Sequence, residues 1–502
     1  MARARTTTVA TSAAKATVPE DAGARAASSK ATSAKTALPR RRAARSVPAR
    51  TAAQIGITAG GPRTIPELTS PVRRSQTKVS ELVLESGLRV IVARKAGTPL
   101  VELRLRIPFG GKASAAGTHA ARAEVLAASV MLGTKRRDRE GVDAELATVG
   151  GHLGASVDAQ RLVFAGSVLS TGIGVLVDVL ADTLTGAAYR AKDVAGERDR
   201  LVEHLLIASA QPGVVANRHL QRARFGDHPA AWDMPEAADV ALVTPAVVRS
   251  LHQRSVVPAG ATLVMVGDLQ PAAALRLLAK ALEPWQSDRT AQQMASPPAV
   301  EPGSISAYDK AGAVQSQVRL SGAAVGRDHE GYAAQQLANL IYGGYFSSRL
   351  VENIREDKGY TYSARSGVEF WPGAAALTIA FDSNTESTAA ALWETRYELG
   401  RIALVAPTSA EVESARSYAL GTLAASLATQ SGYASMLSSL AGSGLDAQWL
   451  VAHQHRLATV TADEVHAMAR VIFAPSAFMG VVVGDLSAMG SELASIGGVD
   501  LP

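Results

Sequence analysis

Thr244-Pro245-Ala246-Val247-Val248, running on through Pro258 to Val266-Gly267-Asp268-Leu269, returns later in the chain as Thr461-Ala462-Asp463-Glu464-Val465, through Pro475, to Val483-Gly484-Asp485-Leu486. Thr244 and Thr461, Val248 and Val465, Pro258 and Pro475, and the two Val-Gly-Asp-Leu runs all lie 217 residues apart, without a gap. In each copy a helix leads through a proline-marked turn into a buried strand that ends at Gly-Asp. A single Val-Gly-Asp-Leu match would mean little, but a helix, a turn and a strand in common register mean duplication. The chain therefore reads as two copies of one α+β unit. The join falls where Gln286-Ser287-Asp288, Ser296-Pro297-Pro298 and Glu301-Pro302-Gly303-Ser304 make a loop-like connection. The expected organisation is a domain at 79–285, a linker at 286–303 and a second domain at 304–502.

At 502 residues the chain is too long for one core, and its 47% hydrophobic content is ample for packing. No apolar run approaches the roughly 20 residues that span a bilayer. There is no cysteine, which excludes disulfides, thiolate metal sites and cysteine nucleophiles. The net charge of +6 is unevenly spread. Residues 1–78 hold 15 Lys and Arg against Glu20, Asp21 and Glu67, a balance of +12, so the remainder carries −6. This Ala-, Ser-, Thr- and Arg-rich segment cannot bury a core and is expected to be disordered. A plain leader, an organelle transit peptide and an arm for nucleic acid or another acidic partner built on Arg40-Arg41-Arg42 all fit its composition.

The first folded segment, Leu82–Ala93, reads as two strands around a turn at Ser86-Gly87. Val101–Ile107 alternates strictly and is a half-buried strand. Helical stretches follow at about 119–132, 171–187 and 191–210.

In the second copy, Tyr345-Phe-Ser-Ser-Arg-Leu-Val-Glu-Asn-Ile-Arg-Glu-Asp-Lys-Gly-Tyr-Thr-Tyr-Ser-Ala364 reads as a helix, a sharp stop and a strand. Ser347 or Ser348 can cap the helix, Leu350, Val351 and Ile354 form its apolar face, and Gly359 supplies a left-handed end. Arg355 in the last turn and Tyr362 on the following strand then converge on one spot. Taken alone, the pattern also suits a packed helix–strand corner with a snorkelling arginine.

Ser348-Arg349-Leu350, Arg355, Lys358-Gly359 and Tyr362 resemble, without a gap, the C-terminal signature of the insulinase/pitrilysin family of inverted-zincin peptidases. The resemblance covers about residues 80–490 and includes Phe225-Gly226-Asp227-His228-Pro229 and Val257–Asp268. It implies two homologous α+β domains, each a mainly antiparallel sheet packed against helices, folded over a chamber closed with a partner subunit. It also implies that Arg355 and Tyr362 bind no metal. They would hold the peptide and help to stabilise the tetrahedral intermediate.

Active members carry H-x-x-E-H on an early helix, two histidines for zinc and a glutamate as general base. Counted back from the Gly133-Thr134 landmark, the corresponding window is Glu124-Val125-Leu126-Ala127-Ala128. Glu124, Ala127 and Ala128 replace both ligands and the base. A catalytic zinc needs three protein ligands and an open position, so no cofactor is expected in this chain. Glu203-His204 lies near the family's third-ligand position, but Arg200 stands where a ligand would be needed. His119, five residues before Glu124, is expected on a different helical face. His453 and His455 read as solvated helix surface, and His228 and His252 as hydrogen-bonding residues of turns and helix faces.

Some members of the family act in pairs, one subunit keeping the zinc motif and the other the Arg/Tyr pair. The resemblance implies that this chain is the second kind. It would be the substrate-binding half of a heterodimeric zinc peptidase, with zinc in a homologous H-x-x-E-H partner and peptide held along a sheet edge, for which Gly151–Asp158 is the candidate. The alternative is a scaffold subunit with no part in proteolysis, as the core subunits of the respiratory cytochrome bc complex are. The short run Leu340–Phe346, where the mitochondrial processing peptidase's non-catalytic subunit bears a long glycine-rich loop, points to a bacterial-type pair. A cytoplasmic location is expected, with organelle import the lesser alternative and nucleic acid not expected as a partner.

Overall fold

The computed structural model describes residues 77–502. The readings of the basic leader therefore lie outside the described residues, apart from its last two positions.

Two six-stranded sheets organise this part of the chain. The first contains β1 (Val79–Val83), β2 (Arg89–Arg94), β3 (Leu100–Pro108), β4 (His152–Val157), β5 (Arg161–Leu169) and β6 (Thr262–Gly267), in the order β1-β2-β6-β3-β5-β4. The second contains β7 (Ile305–Asp309), β8 (Gln315–Ala323), β9 (Thr361–Trp371), β10 (Ala374–Asn384), β11 (Phe478–Gly484) and β12 (Val499–Asp500), in the order β12-β7-β11-β8-β10-β9. The second to sixth positions match one to one. In both sheets the second and third strands are parallel, and the pairings from there to the far edge are antiparallel. Only the outermost strand differs, since β1 runs antiparallel to β2 while β12 runs parallel to β7. The fold is thus α+β and duplicated, with β4 and β9 as the equivalent free edges.

Six helices bear on the site: α1 (Ala116–Ser129), α2 (Ala191–Ser209), α3 (Pro212–Phe225), α4 (Pro245–Ser255), α5 (Gln430–Gly442) and α6 (Ala462–Ile472). The ends of α4 and α6 are 217 residues apart. Both helices start on a threonine whose side chain accepts a backbone N–H, Thr244 from Val247 at 3.4 Å and Thr461 from Glu464 at 3.2 Å.

Each sheet has two buried faces. On β3 the odd residues Val101, Leu103, Leu105 and Ile107 enter the first core, and the even residues Glu102, Arg104 and Arg106 point the other way. That second face is covered from the other half of the molecule. Helix α5 lays Tyr433, Ala434, Leu437 and Leu440 on Ile91, Ala93, Val264 and Val266. Reciprocally, α3 lays Ala216 and Leu220 on Val481 and Val483. Val264 and Val266 correspond to Val481 and Val483 across the 217-residue repeat. Each half therefore lends one helix to the other's sheet, and a buried leucine such as Leu437 contributes about 1.5–3 kcal/mol at such a contact. Residues 286–304 form no regular element, but they are not loose, since Ala291, Met294 and Val300 are buried and Thr290 bridges to Ala259.

Two local readings are corrected. Leu340–Gly344 is a π-helical turn, not a loop. The expected helix after Ser348 is α-helical only over Arg349–Val351 and continues as π-helix over Glu352–Asp357, with Lys358 N–H reaching back to the Asn353 carbonyl at 3.1 Å. The Ser348 hydroxyl caps nothing; it is buried without a hydrogen-bond partner. Leu350, Val351 and Ile354 are buried as the pattern requires, and Gly359 ends the turn at φ +64.

Candidate functional site

The π turn carries Arg355 and the edge strand β9 begins one residue before Tyr362, so the chain folds back to bring the two together. The Arg355 guanidinium carbon lies 5.4 Å from the centre of the Tyr362 ring and 4.6 Å from that of Phe346. Arg355 also pairs with Glu356 at 2.8 Å. Tyr362 is 87% exposed and Phe346 62%. A half-buried cation between two exposed rings gains about 0.5–2 kcal/mol from each, which does not account for leaving both aromatics in water. Phe346 was not singled out from the sequence. Its signal is an aromatic placed just before the Ser-Arg-Leu run.

The other signature residues hold this spot in place. Arg349 is buried and forked onto Glu411, at 2.6 and 3.0 Å. Burial alone would push the Glu411 carboxyl up, but the bonds from Arg349 and Thr408 outweigh it and hold it at about 2. Lys358 pairs with Glu394, and the Asn353 amide donates to Glu394 at 3.1 Å and to the almost fully buried Glu398 at 2.8 Å. Arg349, Asn353 and Lys358 thus clamp the π turn from behind, and Arg355 and Tyr362 face out.

In the first half, α1 packs beside the free edge β4. Ala127 is buried and Ala128 exposed, and neither has a donor atom for a metal. Glu124 borders a small cavity with His119, Ala123, Asp158, Trp232 and Asp233. Burial, and then the Asp158 charge, raise its carboxyl to about 7. A zinc ion does not fit this set. The window supplies one carboxylate, and with His119, whose Nε2 is bonded to the Phe109 carbonyl at 2.8 Å, the set still falls short of three grouped ligands. His119 and Glu124 border the same cavity, contrary to the expectation of different faces, because the loop carrying Trp232 closes over both. Glu203 and His204 are exposed on α2, outside this cavity. Among the described residues no three His, Asp or Glu side chains are grouped to hold a metal ion.

The remaining histidines divide. His228 accepts the Ala230 N–H at 3.1 Å, and His252 bonds Tyr189 and the Leu184 carbonyl at 2.8 and 2.9 Å. His453 corrects the surface reading. It is buried, stacked on Trp449 at 4.5 Å and bonded to Gln336 at 2.9 Å, while His455 is exposed. The candidate strand Gly151–Asp158 is the free edge β4 of the first sheet. Gln160, in the turn after it, donates to the Phe370 carbonyl of β9 at 3.1 Å, tying the two free edges together.

Comparison with known proteins places these features. A profile described as Insulinase (Peptidase family M16) matches residues 90–234, and one described as Peptidase M16 inactive domain matches residues 243–418. An uncharacterized zinc protease of Mycobacterium tuberculosis is 26% identical over 77% of this chain and 89% of its own length. A probable mitochondrial-processing peptidase subunit beta of Arabidopsis thaliana is 25% identical over 30% of this chain and 28% of that protein. The crystal structure of a peptidase M16 inactive domain from Pseudomonas fluorescens superposes with a TM-score of 0.75 at 20% identity, over 81% of this chain and 98% of that one. No helix among the described residues is long and apolar enough to cross a membrane.

Proposed function

Because the chain belongs to the insulinase/pitrilysin (peptidase M16) family, we propose that it is a non-cleaving member, which holds peptide for the zinc centre of a homologous H-x-x-E-H partner and does not cut peptide alone. The observation that carries this reading is the cluster of half-buried Arg355 with the exposed rings of Phe346 and Tyr362, outside the apolar cores. The partner's zinc would supply the activated water. On this chain, Arg355 offers a permanently charged donor to a carbonyl or developing oxyanion, and Tyr362 a second hydrogen bond. The free edges β4 and β9 present unpaired backbone groups on which an extended strand of peptide can add, fixing register with little sequence preference. We assign the chain, on the same grounds, to a bacterial heterodimer.

The test is peptidase activity and metal content, measured on this chain alone and on its mixture with an H-x-x-E-H homologue from the same genome. The chain is expected to be zinc-free and inert alone, and active when mixed. Arg355→Ala and Tyr362→Phe are each expected to lower turnover of the pair by about a hundred- to a thousandfold, the range for removing a transition-state donor, with folding and zinc content unchanged. Full turnover in both variants would sink the assigned roles. A stable complex that never cleaves would establish the scaffold reading instead.

A further inference from the structure

The outer faces of the two sheets carry equivalent arginines in equivalent bonds. Arg104 on β3 sends Nη1 to the Leu103 carbonyl at 2.8 Å and the Gly166 carbonyl at 3.3 Å. Arg319 on β8 sends Nη1 to the Val318 carbonyl at 2.9 Å and the Phe381 carbonyl at 3.1 Å. Beside each, a polar cleft opens between the crossing helix and the strands leading to the free edge. The two clefts differ in how their charge is met. In the second half, Asp382 neutralises Arg319 at 2.8 Å and Glu369 neutralises the buried Arg224 at 2.7 Å.

In the first half the cleft is left cationic. Arg106 is 8% exposed, yet among the described residues it takes no hydrogen bond and no ion pair. The groups around it are Arg104, paired with Glu102 at 2.8 Å; Arg161, paired with Asp158 at 3.0 Å; and Arg327, bonded to Ser439 at 3.1 Å. Four guanidinium groups thus face two carboxylates, both already engaged. Burial and the neighbouring Arg161 and Arg327 charges press the Arg106 guanidinium down to about 10, with Asp158 opposing them only in part. Ser435 and Ser438 of α5 line the same cleft. The Arg106 nitrogens are not among the buried, unpartnered polar atoms, so they face the open cleft, and an arriving oxyanion would replace water there with a charge-assisted bond. The cleft, of about 300 Å³, opens along Ser156, Val157 and Asp158 of β4. It is large enough for a side chain and lies beside the edge on which a peptide would add.

We propose that this cleft binds the carboxylate of an acidic residue in the peptide lying along β4, with Arg106 as its central cation and Ser435 and Ser438 as further donors. This deepens the peptide-holding reading and rests on it. It gives that reading a specificity that main-chain pairing cannot supply.

The test is fluorescence anisotropy on the full chain, with labelled alanine-based peptides in which one glutamate is walked along the sequence, each matched by its glutamine counterpart. At one register the glutamate peptide is expected to bind about tenfold tighter, as a charge-assisted bond to a guanidinium predicts. Arg106→Met, which keeps the volume, is expected to erase the difference, Arg106→Lys to keep part of it, and the rim substitution Arg161→Gln to reduce it without risk to the core. Equal binding of every glutamate and glutamine pair overturns the cleft assignment and leaves the peptide-holding reading standing. No binding of any peptide overturns both. Arg106-dependent thermal stabilisation by inorganic phosphate, with no discrimination between the peptides, overturns the peptide assignment in favour of a free oxyanion.

Discussion

At Glu124 a glutamate stands on the zinc-motif helix but in a cavity that penalises its charge. Its raised carboxyl sets the sign of a pH effect. A carboxyl whose folded pKa exceeds its unfolded value contributes stability that is present below about 4.5 and lost as pH rises through about 7. Chemical denaturation between pH 4.5 and 8 should therefore show Glu124→Gln overtaking the parent chain as pH rises, by on the order of 2–3 kcal/mol at most. A pH-independent difference would mean that Glu124 is solvated. Glu411 behaves oppositely. Its carboxyl is held at about 2, so its contribution is present above about 4.5 and fades as pH falls toward 2. Arg349→Met, which strands Glu411 without its partner, should cost roughly 2–4 kcal/mol in urea titration at pH 7. The signature arginine at 349 is thus a stability residue and the one at 355 is not, a division the linear motif does not reveal.

The helices at the repeat also admit a graded test. Thr461 and Glu464 cap each other reciprocally, with Glu464 accepting from the Thr461 N–H at 2.7 Å. Thr244 has Val247 in the matching place and only its single 3.4 Å bond. Thr461→Ala should lower stability by about 1 kcal/mol, and Thr244→Ala by less. A reversed order would show that the caps are not what starts these helices. At the π turn, Gly359 sits at φ +64 with nothing within 4 Å of an added Cβ. Gly359→Ala should accordingly cost only the left-handed penalty of roughly 1 kcal/mol. Any larger loss of pair activity would report displacement of Tyr362, which follows three residues later.

For the whole molecule, the exchange of α3 and α5 means that neither sheet finishes its burial without the other half. Residues 77–502 should unfold in one cooperative thermal transition, and Leu437→Ala, in the exchanged helix, should lower that single midpoint by about 2–4 kcal/mol equivalent. Two resolved transitions would mean that the halves fold independently and the exchanged contacts are secondary. Much of the architecture was legible in advance. The 217-residue register, the alternation at Val101–Ile107 and the left-handed Gly359 each reflect a local rule of period or backbone freedom, and such rules act within a few residues. The exchange was not legible, because Tyr433, Leu437 and Leu440 show only that their helix has an apolar face, not which sheet receives it. His453 was misread for the same reason: beyond Trp449 on its own helix, its partners Tyr332 and Gln336 lie more than a hundred residues away.

What the sequence by itself determined is the duplicated α+β unit and the convergence of Arg355 on Tyr362, since each rests on residue type at a fixed spacing. Only the tertiary structure decided that Arg349 is clamped in the interior while Arg355 pairs only with its neighbour Glu356 beside two exposed rings, that Phe346 completes that cluster, and that Arg106 is buried without an ion pair among the described residues where the other half has Ser321. These are questions of which distant side chain faces which. Burial and charge pairing depend on the packing of whole helices against sheets, and no window of sequence contains both partners.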